Sequence, residues 1–444
     1  MSLPDQMLGQ KTGIIKSINE LLRSADQPCP KILVGNLSAY TRYTGDNYDF
    51  ASTGIHAERM NAYWAAFGEG IERYCGFLSN MQTQKLTSFT GVPQEGLQVL
   101  PLDKCCLFTR EQYSQPDFPF ILPEEETTLS WIKGYYLINH KPIYVPSALV
   151  FNQYKPAEGE YRICPDIHPG MACGPSLSSA LLAALYEIVE RDALMVFWLN
   201  LLPMPGIEMQ RDERCSQMFG KYMPPNHPEI SLLWLKSDLE IPVIFCLLVD
   251  ERGGVVSGGC AARLDPYQAA AKAAFESIQT WLLAIEIKRG KHGKLAPHER
   301  RYAKGLLDPE KREQLPGTQL IFNLVHYLNP KNWSLLKALR YPEEGVTFKD
   351  LPSPETGSIE NDLTYVLNEF SKHKLEPIVV NLTTKDVVEA GWCVVRVLVP
   401  GAVPNTPTAY PPLALKRLWE VPTRLGYQSL TEKGGWNLTP MPYA

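Results

Sequence analysis

The chain has 444 residues, of which 45% are hydrophobic and 20% are charged. This composition excludes general disorder and supplies enough apolar material for one large core or for two or three subdomains. The formal net charge of −5 provides no overall positive field, so we expect no nucleic-acid partner.

The first half of the chain predicts helices around a β-hairpin. Residues 12–24 have the pattern of a short helix and residues 57–80 that of a long one, followed by turn-rich sequence. Residues 130–138 and 141–151 are rich in β-branched and aromatic side chains and flank a turn, which predicts a hairpin. A glycine-rich turn then leads into another long helix over residues 174–200.

The second half predicts strands on both sides of a third long helix. Residues 243–262 have strand composition around Gly253 and Gly254, and a helix is predicted from Pro266 to Lys288. Residues 288–349 are expected to be an elaboration, and strand character returns at 377–383 and 392–400. The proline-rich end from Pro400 is expected to be an extended surface path. The predicted fold class is mixed α/β (α+β), with long helices packed on mixed sheets.

The sequence shows no pattern typical of a secretory signal, a membrane-spanning helix or a structural zinc site. The N-terminus lacks the features of a secretory signal, which predicts a cytoplasmic location. No membrane association is expected, because charged residues interrupt every apolar run before it reaches about 20 residues. None of the ten cysteines forms a Cys-x-x-Cys pair, so structural zinc is not expected. Cys105 and Cys106 are expected to be buried reduced thiols, with a reactive pair as the alternative.

Two of the predicted helices carry the same acidic motif, Glu-x-x-Glu-Arg. In the first, Glu69 and Glu72 project together from the side opposite an apolar stripe. In the second, Glu187 and Glu190 repeat this geometry. The spacing leaves two interpretations open: the solvated side of an ordinary amphipathic helix, or a site where a cation relieves repulsion between neighbouring carboxylates.

The third long helix places Lys272, Glu276 and Gln279 on neighbouring faces. Mg²⁺ prefers oxygen ligands and is usually held by a few carboxylates together with nucleotide phosphates. Glutamates from several helices therefore suit an ATP site without a glycine loop, and neither GxxxxGK[ST] nor GxGxxG occurs in this chain.

These segments resemble the YcaO family, in matching order from about Thr53 to the C-terminus. The resemblance is carried by residues 65–76, 168–198, 264–279 and the tail segments 394–401, 415–427 and 437–444. It implies a YcaO-type fold over residues 53–444, preceded by an N-terminal segment over residues 1–52. It also implies ATP and Mg²⁺ as cofactors.

The resemblance assigns roles to the acidic helices. It implies that four glutamates hold Mg²⁺ and ATP phosphates: Glu69, Glu72, Glu187 and Glu190. It implies that three further residues line the same nucleotide site: Lys272, Glu276 and Gln279.

The implied reaction modifies a ribosomally made precursor peptide. A Cys, Ser or Thr side chain attacks the preceding backbone carbonyl, ATP phosphorylates the resulting oxyanion, and phosphate leaves to form a thiazoline or oxazoline. Azoline-forming members end in a PxPxP tail that reaches the active site, which implies catalytic positions at Pro440, Pro442 and Ala444. Deleting this tail is expected to abolish ring formation while leaving ATP binding largely intact.

The chain departs from the family pattern at four positions. A common GKG is Gly54-Ile55-His56, a frequent Ser is Ala65, and the Asn and Glu often found after the glycine turn are Pro175 and Ser179. These departures concern the binding of ATP or Mg²⁺, and they motivate one alternative, a non-catalytic scaffold of the same fold. The nearer alternative is another YcaO reaction, thioamide or macroamidine formation.

The resemblance also implies partners. No segment before Thr53 resembles a winged-helix or ThiF-like leader-binding module, so a separate partner protein of one of these types is expected. The family further suggests a homodimer.

Overall fold

The computed structural model describes residues 7–10, 12–22, 30–37, 51–77, 82, 84–92, 98–222, 228–290, 317, 319–428 and 435–443. Within these residues the chain forms fifteen β-strands and eleven α-helices, so the predicted mixed α/β class is confirmed. The strands are β1 (Ile15–Glu20), β2 (Lys31–Leu37), β3 (Ala51–His56), β4 (Lys85–Thr87), β5 (Gln98–Val99), β6 (Leu129–Tyr136), β7 (Pro142–Pro146), β8 (Met171–Gly174), β9 (Gly206–Ile207), β10 (Glu229–Trp234), β11 (Val243–Asp250), β12 (Val255–Ala262), β13 (Gly345–Val346), β14 (Ile378–Asn381) and β15 (Cys393–Leu398). The helices are α1 (Arg59–Phe77), α2 (Leu102–Cys105), α3 (Arg110–Tyr113), α4 (Leu177–Asn200), α5 (Glu213–Tyr222), α6 (Pro266–Lys288), α7 (Phe322–Tyr327), α8 (Lys337–Arg340), α9 (Ile359–Lys372), α10 (Lys385–Glu389) and α11 (Arg417–Arg424).

The strands form three sheets. Strands β1, β2 and β3 make an antiparallel sheet in that order. A five-stranded sheet has the order β12-β11-β10-β9-β13 and is antiparallel except where β9 meets β13. A seven-stranded sheet has the order β5-β7-β6-β14-β15-β8, with β4 added beside β6.

Helix α4 joins the two larger sheets. It contacts β8 and β15 of the seven-stranded sheet and β11 and β12 of the five-stranded sheet, and most of its residues are buried. A helix that is apolar on nearly all sides is typical of the core of a large domain. A capping box between Ser176 and Ser179 begins the helix, and Leu201 ends it in the left-handed conformation with φ 49°. The glutamates of α4 are thereby held at the centre of the molecule.

Two glycines allow the other acidic helices to pack directly on strands. A Cβ on Gly54 of β3 would lie 1.8 Å from the carbonyl oxygen of Ala62 in α1. A Cβ on Gly259 of β12 would lie 2.0 Å from the carbonyl oxygen of Ala273 in α6. Any larger residue would push the helix outward, so these glycines set the distance of α1 and α6 from their sheets.

Most of the predicted elements agree with the structure. The long helices, the hairpin of β6 and β7, the paired strands β11 and β12, and the late strands β14 and β15 all occur where the pattern indicated. The predicted helix over residues 12–24 is wrong, because Ile15–Glu20 is a strand. This segment pairs with β2, and Ser17 and Asn19 in it are poor helix formers. A helix this short gains little stability without packing, so the pairing determines its structure.

The predicted extended surface tail is also partly wrong. Residues Arg417–Arg424 form helix α11, with Pro422 inside it. The final segment is not on the surface either, since Met441 and Tyr443 are 4% and 3% exposed. Their burial against the central core is a long-range contact that local proline content does not reveal.

Three further predictions concern membrane spans, the domain boundary and the elaboration over residues 288–349. No helix among the described residues combines the length and the apolar character that crossing a membrane requires. The predicted start of the main domain at residue 53 falls inside β3, and the two-part division of the chain stays a prediction. The described parts of the elaboration over 288–349 include α7 and α8, while residues 291–316 and 318 lie outside the described residues.

Candidate active site

A cavity of about 1000 Å³ lies among helices α1, α4 and α6. Its volume is at the upper end of the range for small-molecule sites. All seven residues predicted to bind the nucleotide lie on its wall: Glu69, Glu72, Glu187, Glu190, Lys272, Glu276 and Gln279. Helices that are far apart in sequence therefore bring the predicted residues to one place.

The two glutamates of α1 differ in their contacts. Glu69 accepts a hydrogen bond from the backbone N–H of Thr53 at 2.7 Å and from Nε of Arg73 at 2.8 Å. Glu72 has no hydrogen-bond or ion-pair partner among the described residues. Burial, together with the charges of Glu187 and Glu69, raises the pKa of Glu72 well above its usual range. An unpaired carboxylate on a cavity wall is favourable for a cation.

The two glutamates of α4 share one arginine. Glu187 accepts the backbone N–H of Gly170 at 2.9 Å and lies 3.7 Å from Arg191. Glu190 is 2% exposed and lies 3.3 Å from the same guanidinium group. Burial raises the pKa of Glu190 to about 7, although the positive charge of Arg191 opposes this shift. When both carboxyl groups are ionised, the pair carries more negative charge than Arg191 alone neutralises.

Helix α6 supplies the third wall of the cavity. Lys272 forms an ion pair with Glu276 one turn later, and Gln279 follows on the same side of the helix. The side chains of Lys272 and Glu276 are 38% and 23% exposed, so both remain accessible from the cavity. This wall offers one cation, one anion and one neutral amide to a bound molecule.

Two of the predicted catalytic positions of the tail, Pro440 and Pro442, lie outside the cavity wall. The carbonyl oxygen of Pro440 accepts a hydrogen bond from the hydroxyl of Tyr327 at 2.6 Å, outside the cavity wall. Pro442 is buried near Gly258 of β12 and does not line the cavity either. The residue that does line it is Tyr443. Ala444 lies outside the described residues, so its predicted role stays a prediction.

Several cavity residues were missed from the sequence. Arg73 and Arg191 were available from the Glu-x-x-Glu-Arg motif, in which the arginine follows the second glutamate. Asn405 and His168 had no local signal. Asn405 is 3% exposed and lines the cavity, and its Oδ1 has no hydrogen-bond partner in the part of the chain that the structure describes. Burial and nearby guanidinium groups lower the pKa of His168 to about 4, so this imidazole is neutral at physiological pH.

The four departures from the family pattern have different positions. Ile55, Ala65 and Pro175 line the cavity. Ser179 does not, because its hydroxyl and backbone N–H complete the capping box that begins α4. This serine therefore has a structural function in helix initiation.

The donor groups of the cavity suit a magnesium nucleotide. No group of three or more His, Cys, Asp or Glu side chains in the described part of the chain is already arranged around a metal position. Mg²⁺ does not require such a cage, because it commonly binds one or two carboxylates together with phosphates and water. The unpaired Glu72, the excess negative charge on α4 and the cations Lys272 and Arg191 fit a metal and a phosphate chain in one cavity.

Comparison with known structures identifies the fold. A heterocyclase in complex with substrate and cofactor has a TM-score of 0.73 and 23% identity, covering 99% of this chain and 56% of its own. The heterocyclase TruD has a TM-score of 0.62 and 22% identity, covering 87% and 51%. YcaO from Methanopyrus kandleri, bound with AMPPCP and Mg²⁺, has a TM-score of 0.60 and 20% identity, covering 88% and 86%. The chain thus spans about half the length of the first two proteins.

Sequence comparison identifies the family. An uncharacterized protein of Methanothermobacter thermautotrophicus is 23% identical over 359 residues, which cover 78% of this chain and 80% of the relative. The sequence model of the YcaO cyclodehydratases, described as ATP- and Mg²⁺-binding, matches residues 53–403. The chain belongs to the YcaO family of ATP- and Mg²⁺-dependent cyclodehydratases.

Proposed function

We propose that this enzyme forms thiazoline or oxazoline rings from Cys, Ser or Thr residues in a ribosomally synthesised precursor peptide. The observation that carries the proposal is the convergence of seven predicted nucleotide-binding side chains on one cavity in a chain of the YcaO family. A heterocyclase of the same fold is described in complex with substrate and cofactor, which supports a ring-forming reaction here.

The residues of the cavity divide into two functions in this proposal. The acidic wall of α1 and α4 holds Mg²⁺ through Glu69, Glu72, Glu187 and Glu190, with nucleotide phosphates completing the coordination. The cations of the wall, Lys272 among them, bind the phosphate chain and offset its charge. When bound, Mg²⁺ and ATP supply an electrophilic phosphoryl group for the amide oxygen, which is otherwise a poor leaving group.

The ring-forming step needs no nucleophile from this chain. The peptide's own thiol or hydroxyl releases its proton as it adds to the preceding carbonyl carbon, and bound ATP would supply the phosphoryl group that makes the amide oxygen a leaving group. Loss of phosphate and of the amide proton then leaves the C=N bond of the azoline. The chain contributes by orienting the reactants and excluding water, which fits a cavity enclosed by three helices.

The position of the tail favours azoline formation over the other YcaO reactions. Thioamide and macroamidine formation would use the same nucleotide site with sulfide or an amine as the nucleophile. Tyr443 at the end of the tail lines the cavity, in agreement with a tail that contributes to ring formation. A non-catalytic scaffold is disfavoured, because the buried carboxyl groups of Glu72 and Glu190 must take a proton or bind a cation to offset the cost of burial, and a magnesium nucleotide fits the second.

Mass spectrometry tests the proposal. The purified enzyme is incubated with Mg²⁺, ATP and Cys-, Ser- and Thr-containing peptides, with and without a candidate leader-binding protein. Loss of one water per ring is the expected result, whereas a mass gain from replacement of oxygen by sulfur would assign thioamide formation. In heavy-oxygen water, the phosphate released during ring formation should carry no label, because its fourth oxygen comes from the peptide amide. Labelled phosphate without peptide modification would contradict the proposal.

Partners form the remaining part of the proposal. We propose that a winged-helix or ThiF-like protein captures the leader of the precursor peptide and raises the local concentration of its core at the cavity. The similarity in fold to the E. coli microcin synthetase McbBCD complex, with a TM-score of 0.57, supports a multi-protein arrangement. The homodimer and the cytoplasmic location stay predictions.

A further inference from the structure

The last described residues of the chain are held by hydrogen bonds from two helices. Side-chain donors bind three backbone carbonyl oxygens in this segment: Trp198 Nε1 to Thr439 at 2.7 Å, Tyr327 O–H to Pro440 at 2.6 Å, and Asn323 Nδ2 to Tyr443 at 2.8 Å. Trp198 lies on α4, and the other two donors lie on α7. The segment is therefore anchored along its length, and its final side chain has a defined direction.

The side chain of Tyr443 lies between the acidic helices α4 and α6. The hydroxyl of Tyr443 is 3.3 Å from Oε1 of Glu190 on α4 and 3.5 Å from Oε2 of Glu276 on α6. The guanidinium group of Arg191 lies over the phenol ring, 4.4 Å from its centroid. Tyr443 is 3% exposed, so bulk water cannot replace these contacts.

We propose that Tyr443 is a positioning residue of the metal and nucleotide site, an inference that rests on the proposed function. Its hydroxyl spaces and orients the carboxylates of Glu190 and Glu276, and its ring holds Arg191 against the same wall. Carboxylates that bind metals are themselves usually oriented by hydrogen bonds, and loss of such a bond typically weakens metal binding by about 10–100-fold. The tail therefore belongs to the cofactor site.

This inference reverses one expectation from the sequence. From the sequence, loss of the proline-rich end is expected to abolish ring formation and to leave ATP binding largely intact, because the glutamates lie on helices far earlier in the chain. The contacts of Tyr443 make nucleotide affinity dependent on the tail. Removal of residues 440–444 should accordingly reduce both Mg²⁺-nucleotide binding and ring formation.

The test compares two buried tyrosines of the same assembly in the full-length protein. Tyr443→Phe removes the hydroxyl that faces Glu190 and Glu276 and keeps the ring over Arg191. Tyr327→Phe is the matched control, because it removes a hydroxyl that anchors the tail at Pro440 outside the cavity wall. Calorimetry measures the affinity of each variant for AMPPCP with and without Mg²⁺, and thermal unfolding measures stability.

The expected result is specific to Mg²⁺. Tyr443→Phe should weaken Mg²⁺·AMPPCP binding about tenfold or more, with a much smaller effect when Mg²⁺ is absent. Tyr327→Phe should lower the unfolding temperature and weaken the affinity far less than Tyr443→Phe does, because Trp198 and Asn323 still anchor the segment that carries Tyr443. Unchanged or tighter binding by Tyr443→Phe, or an equal loss in Tyr327→Phe, would overturn the inference. Failure of the wild-type protein to bind Mg²⁺·AMPPCP would instead overturn the proposed function.

Discussion

Substitutions of Glu69 and Glu72 in α1 should separate the stability of the protein from its ligand binding. Glu69 and Glu72 lie less than one turn apart on the same helix and line the same cavity. Replacing each with Gln removes one negative charge and almost no volume. The contacts of the two side chains predict that the two substitutions have opposite effects on the stability of the ligand-free protein.

The magnitudes follow from those contacts. Glu69→Gln loses a two-point ion pair with Arg73 that is about one-third exposed, so the free energy of unfolding should fall by about 1 kcal/mol. Glu72→Gln breaks no hydrogen bond or ion pair among the described residues. It removes the cost of burying an ionised carboxyl group beside Glu187 and Glu69, which outweighs the attraction of Arg73 and Arg396, so the free energy of unfolding should rise by about 0.5–1 kcal/mol. Both changes should weaken Mg²⁺-dependent nucleotide binding by at least about tenfold, because each removes a proposed carboxylate ligand.

Two measurements on each variant are sufficient. Urea unfolding without ligand gives the change in stability, and calorimetry with Mg²⁺·AMPPCP gives the change in affinity. If Glu72→Gln destabilises the protein as much as Glu69→Gln does, the carboxylate of Glu72 has a structural partner and our reasoning is wrong. If Glu72→Gln is more stable but binds Mg²⁺·AMPPCP with unchanged affinity, Glu72 is not part of the metal site.

Three further predictions concern other parts of the molecule. Arg417→Met should lower the free energy of unfolding by about 3–5 kcal/mol, because Arg417 forms ion pairs with the buried carboxylates of Asp192 and Asp238. Arg424→Met, at the exposed edge of the same network, should lower it by less than about 1 kcal/mol. Burial alone would raise the pKa of Asp238, but hydrogen bonds and charge from Arg417 lower it. The loss of unfolding free energy in Arg417→Met should therefore be complete near neutral pH and become smaller below about pH 4. A loss that stays constant with pH in urea unfolding would contradict this. Asn405→Leu should raise the unfolding free energy by about 1 kcal/mol and weaken ligand binding, and destabilisation with unchanged affinity would refute a ligand-facing role. Burial raises the pKa of Cys75 to about 11, so its thiol should resist alkylation near neutral pH until the protein unfolds, and rapid labelling of the native protein would contradict its burial.

Local signals were sufficient for the long helices. The third helix has its predicted bounds, Pro266–Lys288, because Asp265 caps its first turn and Pro266 occupies the first helical position. The short segment at Ile15–Glu20 had no comparable signal, and its strand structure depends on pairing with β2. Short segments with weak propensity adopt the structure that their tertiary partners stabilise.

Local sequence patterns are sufficient to place the three acidic helices and the polar residues that share one side of each helix. Periodicity, capping and the Glu-x-x-Glu-Arg motif all act between residues three or four positions apart, so they are visible in a single chain. The tertiary structure alone decided how these faces enclose one cavity and which other residues join them. Tyr443 meets Glu190 across 253 positions of sequence. Such a contact depends on the packing of the whole core, and no local pattern of residues encodes it.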